Sequence, residues 1–248
     1  MILFFFNTNE FCYKKKKKNK LPYNLNFQKY KFERDRENCI ASFLIKIYLI
    51  SYLNLNPERI ILKKNFNGKP YIQLIFKDYY KILNFNVSHD YPYLCLYYDN
   101  NKEVGIDIVN INRKINIDRF QNILHPIEIK NLNMINSPKN KKNVFFKYWA
   151  FKEAYTKLKG VGIKSKKQLR QMKFNSYSIK KLKNLTVTYS QIESCNNTIV
   201  CHIESPNNYV ICLSRKYQIK FNKIINIKEN FLYNENFCNL LLKTNIDY

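Results

Sequence analysis

Two long stretches of the chain carry apolar residues every three or four positions, the spacing that places them on one face of a helix. The first spans 34–53 and ends before Asn-Leu-Asn-Pro at 54–57. The second spans 144–159 and ends at Gly160. A shorter helix is predicted near 127–134, and the lysine- and asparagine-rich segment 136–143 is predicted to be a loop. The apolar positions of the first helix are Ile40, Phe43, Leu44, Ile47, Ile50 and Leu53.

Shorter runs rich in β-branched and aromatic residues are bounded by Asn, Gly, Pro or Asp and predict strands. A helix followed by antiparallel strands, twice over, predicts an α+β protein with two similarly built halves. We assign residues 32–103 to an N-terminal half and 104–215 to a C-terminal half. Residues 1–31 form a predicted low-complexity or targeting extension, and 216–248 an unassigned extension. The predicted strands lie at 59–62, 71–76, 93–98, 104–109, 185–189, 198–203 and 209–213.

Composition limits the class of protein. At 46% hydrophobic and 16% aromatic residues, the 248-residue chain has enough apolar side chains to form a core. No apolar run approaches the ~18–20 residues of a membrane span, so we expect neither an integral membrane protein nor a membrane partner. The seven cysteines include no CxxC pair and are odd in number, which predicts free thiols in a reducing compartment.

The net charge of +25 would suit a nucleic-acid-binding protein, because lysine and arginine neutralise phosphates. Lysine, asparagine, isoleucine and tyrosine are inflated together, however, which favours compositional bias, and no nucleic-acid-binding motif is present. We therefore expect anionic cofactors and acidic proteins as partners, and no nucleic acid. Between Phe11 and Lys31 there are eight lysines and no acidic residue. This segment is either a low-complexity extension of a cytoplasmic protein or a transit peptide for a plastid or mitochondrion-type organelle.

Glycine is unusually rare in this chain. Average usage would give about 17 glycines in a chain of this length, and only Gly68, Gly105, Gly160 and Gly162 are present. A sequence that uses so few glycines is expected to keep each one for a backbone reason.

Two carboxylates stand out beside these glycines. Asp107 lies inside an apolar strand, where a carboxylate is costly unless it is paired or bound to metal. Glu153 lies on the second long helix between Trp149 and Lys157, at positions i, i+4 and i+8 of one stripe. Two hard oxygen ligands suit a partly hydrated Mg²⁺ shared with a substrate phosphate. The alternatives are a satisfied aspartate at a turn and an exposed, salt-bridged helix face.

Three motifs carry a family resemblance: GKP with NFNVSH, then VGIDI, then FFKYWAFKEAYTKLKGVGI. In this order and spacing they resemble the surfactin-type 4′-phosphopantetheinyl transferases, the holo-acyl-carrier-protein synthase family, over residues 30–215. The resemblance implies a pseudo-two-fold α+β monomer with coenzyme A in the cleft between the halves. It implies Mg²⁺-dependent transfer of 4′-phosphopantetheine to a serine of an apo carrier protein, with 3′,5′-ADP as the leaving product.

The resemblance also implies roles for particular residues. Asp107 and Glu153 would bind Mg²⁺ across the diphosphate, and Glu153 would also be the base for the serine proton. Lys152 and Lys157 would meet the diphosphate, with Lys157 counted among the catalytic residues. The remaining expected coenzyme A contacts lie in the N-terminal half: Ser88 and His89 at the 3′-phosphate, and Lys64, Gly68, Lys69, Pro70 and Asn86 around the nucleotide.

Two positions depart from the family pattern. Many members have a second carboxylate two residues after the aspartate of GIDI, where this chain has Val109. The family often has a basic residue where this chain has Asn26, and Lys29 or Lys31 are the nearest substitutes. Because of Val109, an inactive homologue that binds coenzyme A is one alternative. A basic nucleic-acid-binding protein that uses the charge of +25 is a second.

The carrier is expected to be acidic, of fatty-acid, polyketide or aminoadipate type. It would dock on the basic stretch 157–183 or on the loop with Arg113, Lys114 and Arg119. A solvated, lysine-rich face with no partner is the alternative for both.

Overall fold

The computed structural model describes residues 2–7, 35, 42, 45, 46, 48–162, 166–182, 185–193, 198–205, 209–216 and 223–227. The chain divides into two compact units, one formed by Met1–Asn101 and Phe221–Tyr248 and the other by Lys102–Lys220. The sequence predicts the division between 103 and 104. Each unit is described below by itself.

The first unit contains a six-stranded sheet with the strand order β11-β1-β5-β4-β3-β2. Neighbouring strands are antiparallel except β1 and β11, which are parallel. The strands are β1 (Ile2–Asn7), β2 (Ile60–Lys64), β3 (Pro70–Ile75), β4 (Tyr80–Asp90), β5 (Tyr93–Asp99) and β11 (Lys223–Ile227).

One helix packs against this sheet. The described residues 35, 42, 45, 46 and 48–52 are helical, and we call this helix α1. Its Leu49 and Ile50 are fully buried in the core of the unit, together with Phe4 of β1. The chain leaves the helix at Asn54, whose φ of 49° is left-handed. The helix therefore ends where the sequence predicts, at 54–57. Four of the predicted apolar positions, Ile40, Phe43, Leu44 and Ile47, lie outside the described residues.

The prediction of a low-complexity or targeting extension is wrong for Ile2–Asn7. These residues form β1, where Leu3 is 1% exposed and Phe4 is 0% exposed. A strand buried on both faces is a continuous apolar run without alternation, and so it lacks the usual strand pattern. The rest of the predicted extension, including Asn26, Lys29 and Lys31, lies outside the described residues. In the unassigned segment 216–248, Lys223–Ile227 form β11 beside β1.

The second unit contains a five-stranded antiparallel sheet with the strand order β6-β10-β9-β8-β7. Its long helix α3 packs on β6 and β10. The strands are β6 (Val104–Asn110), β7 (Phe174–Leu182), β8 (Leu185–Ile192), β9 (Thr198–Ser205) and β10 (Tyr209–Lys216). The helices are α2 (Pro126–Asn133), α3 (Pro138–Lys159) and α4 (Lys166–Gln171), with a 3-10 turn at Ile117–Phe120.

Helix α3 begins six residues before its predicted start, so the predicted loop at 136–143 is wrong. Ser137 is the N-cap, and its hydroxyl accepts a hydrogen bond from the backbone N–H of Asn140. Pro138 occupies the first turn, where its missing N–H costs nothing. This Ser-Pro start signal was present in the sequence, inside a segment whose composition favours a loop. The sequence pattern predicts no element at β7 or α4, and the residues of β4 stand out in the sequence as a motif rather than as a strand.

Both units share one order of elements. A first strand is followed by helix and then by an antiparallel meander whose last strand pairs with the first strand, β5 with β1 and β10 with β6. This confirms the predicted α+β class with two similarly built halves. No helix in the described ranges has the length and apolar character that a membrane span needs. Cys95, Cys201 and Cys212, the cysteines whose surroundings the structure describes, are buried thiols.

Gly105 sets the distance between α3 and β6. A Cβ atom added there would overlap the backbone oxygen of Ala154 and lie 2.5 Å from the backbone nitrogen of Leu158. Both are backbone atoms of α3, so the helix itself would have to move.

We expect Gly105→Ala to destabilise the protein by about 1–3 kcal/mol and to lower activity by displacing α3. The measurement is urea unfolding. Gly68→Ala is the control, because an added Cβ there meets nothing within 4 Å and only a φ of +83° is strained. A Gly105→Ala variant with the stability and activity of the wild type would contradict the close-approach explanation.

Candidate functional site

The carboxylate of Asp107 pairs with a lysine from the long helix. Asp107 lies at the middle of β6, opposite Cys212 of β10, and is 6% exposed. The Lys157 Nζ donates to Asp107 Oδ1 at 2.7 Å. The structure therefore brings these two predicted site residues together, and the ion pair offsets part of the cost of burying the aspartate.

Glu153 lies one helical turn before Lys157 on the same face of α3. Burial, followed by the negative charge of Asp107, raises the pKa of Glu153 from 4.5 to about 7, and Lys157 acts in the opposite direction. A carboxylate whose pKa is raised by a second carboxylate lies in a site that a bound cation would stabilise. The predicted group of Asp107, Glu153 and Lys157 is thus assembled within the second unit.

The donor set fits a magnesium ion that is shared with a substrate. Carboxylate oxygens are the ligands Mg²⁺ prefers, and it commonly takes one or two of them and keeps several waters. Within the described ranges, no group of three or more His, Cys, Asp or Glu side chains is arranged to hold a metal. Val109, at the position of the family's second carboxylate, is 4% exposed and packs in the apolar core. Waters and substrate phosphate oxygens would therefore complete the coordination.

Lys152 does not lie where the resemblance placed it. It is 1% exposed, and its ammonium is 3.0 Å from Glu128 Oε2. It also donates to the backbone oxygens of Leu169, at 2.8 Å, and Met172, at 3.1 Å. The prediction that Lys152 contacts the diphosphate is wrong in this structure, because its charge is enclosed and all its donors have acceptors. The spacing in the sequence predicts the angle between the Lys152 and Glu153 side chains around the helix. It does not predict which of the two sides of the helix packs into the interior.

In the first unit, the predicted nucleotide contacts surround a tight turn between β2 and β3. The Asn65 side-chain oxygen accepts the backbone N–H groups of Asn67 and Lys69, each at 3.0 Å. Gly68 supplies the positive φ that this turn requires. Lys64 is exposed at the end of β2, Lys69 is 8% exposed, and Pro70 begins β3.

The predicted 3′-phosphate contacts lie on β4. Asn86 and Ser88 are buried, at 7% and 3% exposure, while His89 is exposed. Successive residues of a strand point to opposite faces, so the side chains of Ser88 and His89 leave the sheet on different sides. The structure therefore does not bring these two side chains to one face.

The sequence analysis missed Glu128, the buried partner of Lys152. Glu128 closes a capping box at the start of α2: its Oε2 accepts the backbone N–H of His125 at 2.8 Å, while His125 Nδ1 accepts from Ile127. An acidic residue three positions after an N-cap is a readable sequence signal. Its pairing with Lys152, 24 positions along the chain, is a tertiary contact that the signal does not contain.

Two family models match the chain. The model described as the 4′-phosphopantetheinyl transferase superfamily matches residues 103–214, which include Asp107, Glu153 and Lys157. The model described as 4′-phosphopantetheinyl transferase, N-terminal, matches residues 16–100. The chain belongs to the 4′-phosphopantetheinyl transferase family, which confirms the resemblance seen in its motifs.

Individual relatives agree with this family. The chain is 30% identical over 139 residues to the L-aminoadipate-semialdehyde dehydrogenase-phosphopantetheinyl transferase of Xenopus laevis, a match covering 53% of this chain and 46% of that protein. It is 28% identical over 205 residues to the 4′-phosphopantetheinyl transferase gsp of Aneurinibacillus migulanus, covering 83% and 77%. A phosphopantetheinyl transferase of Thraustochytrium sp. is 29% identical over 150 residues, covering 55% and 50%. The chain thus spans about half the length of two of these three relatives.

Proposed function

We propose that this protein transfers 4′-phosphopantetheine from coenzyme A to a serine of an apo carrier protein and releases 3′,5′-ADP. The observation that carries the proposal is the group of Asp107, Glu153 and Lys157 on β6 and α3. It combines a carboxylate whose pKa is raised to about 7, a second carboxylate and a cation. Phosphoryl transfer depends mainly on positioning and on charge neutralisation, and this group can supply both.

Each residue has a proposed role in the transfer. Glu153 accepts the proton of the serine hydroxyl, directly or through a water, and a base with a pKa near the working pH is effective. Asp107 and Glu153 would hold magnesium, which neutralises diphosphate charge when bound. Lys157 places a positive charge beside the same carboxylates, where it can stabilise the diphosphate oxygens. The serine oxygen then bonds to the phosphorus of the pantetheine phosphate, and the bridging P–O bond breaks as 3′,5′-ADP leaves with the electron pair.

Residues of the first unit are proposed to bind the nucleotide. Lys64 and His89 are exposed and can offer a positive charge and a ring N–H to phosphate. The turn at Gly68 leaves the backbone uncovered, so a ligand can approach closely. Lys69, Pro70, Asn86 and Ser88 complete this proposed set.

The proposal extends to the type of carrier, the oligomeric state and the compartment. The Xenopus relative is named for L-aminoadipate-semialdehyde dehydrogenase, so a carrier domain of aminoadipate type belongs beside fatty-acid and polyketide carriers in any test. We propose a monomer, because both units are present in one chain. The compartment is the cytoplasm, or an organelle if the lysine-rich segment directs import, and a reporter fusion decides between them.

An acidic carrier has a suitable docking place in the second unit. A groove of about 630 Å³ lies between the 3-10 turn at Ile117–Phe120 and the first turns of α3. Ile115 and Ile117 give it an apolar floor, while Lys139, Lys141 and Lys142 line its α3 side. Cations at a helix N-terminus are unfavourable for the helix macrodipole, and carboxylates of a partner would relieve that repulsion. The exposed Arg113, Lys114 and Arg119 extend the positive charge along the same loop.

We expect the double charge reversal Lys139→Glu/Lys142→Glu to raise the KM for the carrier about tenfold, since steering by complementary charge changes association rates by roughly that much or more. The KM for coenzyme A should stay unchanged. Lys167→Glu/Arg170→Glu on α4 changes the charge equally and serves as the comparison. A larger carrier effect from the α4 pair would place docking on the 157–183 stretch instead.

The transfer itself is tested with a fluorescent coenzyme A and a panel of apo carriers, with Mg²⁺ or with EDTA. The proposal predicts labelling of at least one carrier, loss of labelling in EDTA and recovery when Mg²⁺ is added in excess. Binding of coenzyme A without labelling of any carrier would instead support the inactive homologue, whose one sequence indication is Val109.

A further inference from the structure

The ammonium of the buried lysine of α3 has three acceptors, which come from two other parts of the second unit. A lysine ammonium has three N–H donors. Those of Lys152 meet Glu128 Oε2 at 3.0 Å, the Leu169 carbonyl at 2.8 Å and the Met172 carbonyl at 3.1 Å. The ring of Phe174 lies 5.3 Å from the same nitrogen. Lys152 therefore joins α3 to α2 and to the end of α4.

The acceptor on α2 is itself held in place. Glu128 is 3% exposed, and its Oε2 also accepts the backbone N–H of His125 at 2.8 Å. The His125 ring in turn caps the first turn of α2. Both side chains of the pair are also hydrogen-bonded to the backbone, Lys152 to two carbonyls and Glu128 to an N–H group. If one side chain shifts, the other cannot shift with it without losing those hydrogen bonds.

A buried ion pair is a poor source of net stability. Burial lowers the pKa of Lys152 and raises that of Glu128, and their mutual attraction opposes both shifts. Replacing such a pair by apolar residues of similar volume is often neutral or stabilising. What the ion pair provides instead is a fixed orientation of the Lys152 side chain. Hydrogen bonds to fixed backbone carbonyls specify one orientation, and apolar contacts do not.

That direction determines where the neighbouring residue points. Lys152 and Glu153 are consecutive on α3, so their side chains leave the helix about 100° apart. On the β6 side, Gly105 lets α3 approach closely, and the apolar side chains that α3 buries pack without the direction that a hydrogen bond has. A rotation would carry Glu153 and Lys157 away from Asp107 together.

We propose that Lys152 and Glu128 form a positioning pair that fixes the rotation of α3 and so directs Glu153 and Lys157 towards Asp107. This inference rests on the proposed function for its effect on catalysis. The pair touches none of the proposed reacting groups itself. Its contribution is expected in kcat, because a misdirected Glu153 is a poorer base, and not in nucleotide binding by the first unit.

The test is the double variant Lys152→Met/Glu128→Leu, which keeps the volume and removes both charges. We expect it to fold with a Tm within a few degrees of the wild type, to lose at least tenfold in kcat and to keep the KM for coenzyme A within twofold. Deuterium uptake at 166–173 should rise, because the carbonyls of Leu169 and Met172 lose their donor. Lys77→Met/Glu58→Leu removes one exposed lysine and one exposed glutamate of the first unit and should change none of these quantities.

The conservative substitution Glu128→Gln separates a positioning role of Glu128 from a role that needs its negative charge. The amide oxygen of Glu128→Gln can accept from both Lys152 and His125, so this variant should keep kcat within about threefold of the wild type at a temperature where it is folded. It should be less stable than the wild type, because the buried charge of Lys152 loses its counter-ion. A loss as large as that of the double variant would overturn the positioning role and give Glu128 a charge-dependent one. A folded double variant with wild-type kcat would also overturn the inference, and Glu128→Gln provides the reading if the double variant does not fold.

Failure of the inference and failure of the proposed function give different results. If the wild type labels no carrier, the proposed function fails, and the exchange measurement still tests whether the pair holds α4. Unchanged deuterium uptake at 166–173 in the double variant contradicts the inference whether or not the protein is active.

Discussion

Replacement of Glu153 by glutamine is expected to lower kcat for phosphopantetheine transfer about a thousandfold, within the ~10²–10⁴-fold range for a general base. Glutamine has nearly the same size and keeps an oxygen at the site, but it cannot accept the serine proton. It also removes one of two carboxylates available to magnesium. The measurement is single-turnover transfer at saturating coenzyme A, and a loss smaller than tenfold would contradict the assignment.

The same variant has a predictable effect on stability. The folded-state pKa of Glu153 is about 7, above its ordinary 4.5. Between these values the folded protein binds more protons than the unfolded chain, so the stability contributed by Glu153 is present at low pH and is lost as pH rises through 7. Glutamine resembles the protonated form. Glu153→Gln should therefore be more stable than the wild type at pH 8 and nearly equal to it at pH 5.

Urea unfolding at the two pH values tests this sign. The exposed Glu58 provides the matched control, since Glu58→Gln should change stability by the same small amount at both pH values. A Glu153→Gln variant that is relatively less stable at pH 8 than at pH 5 would show that the carboxylate is stabilised as an anion in the free protein.

Replacement of Lys152 alone by methionine is expected to destabilise the protein by about 3–5 kcal/mol, the usual cost of leaving one member of a buried ion pair without its partner. Glu128 is 3% exposed and would remain as a buried acid. The carbonyls of Leu169 and Met172 would lose a donor at the same time.

Thermal and urea unfolding measure this loss, and the second substitution Glu128→Leu should restore most of it. A cost below about 1 kcal/mol, the range of exposed ion pairs, would contradict the buried pair. Such a result would also return Lys152 to the set of residues available to the diphosphate.

The sequence predicted best those features that depend on local backbone chemistry. The end of α3 at Gly160 is such a feature, because its φ of 71° favours glycine and needs no tertiary contact. Asp107 in an apolar strand and the charged stripe with Glu153 and Lys157 are visible in the sequence, and the family resemblance joined the three residues into one predicted group.

The features that were missed depend on what packs against what. Spacing places Lys152 about 100° from Glu153, but only the fold shows that this direction leads into the protein. Leu3 and Phe4 were taken for an extension because β1 is buried on both faces and lacks alternation. Glu128 needed a long-range partner to be recognised.

The central claim, transfer of phosphopantetheine by the group around Glu153, is tested most directly by the intact mass of the carrier. Apo carriers of fatty-acid, polyketide and aminoadipate type are incubated with coenzyme A, Mg²⁺ and either wild type or Glu153→Gln. We expect a gain of one phosphopantetheine on at least one carrier with the wild type and almost none with the variant. Unmodified carriers throughout the panel, or equal modification by both proteins, would contradict it.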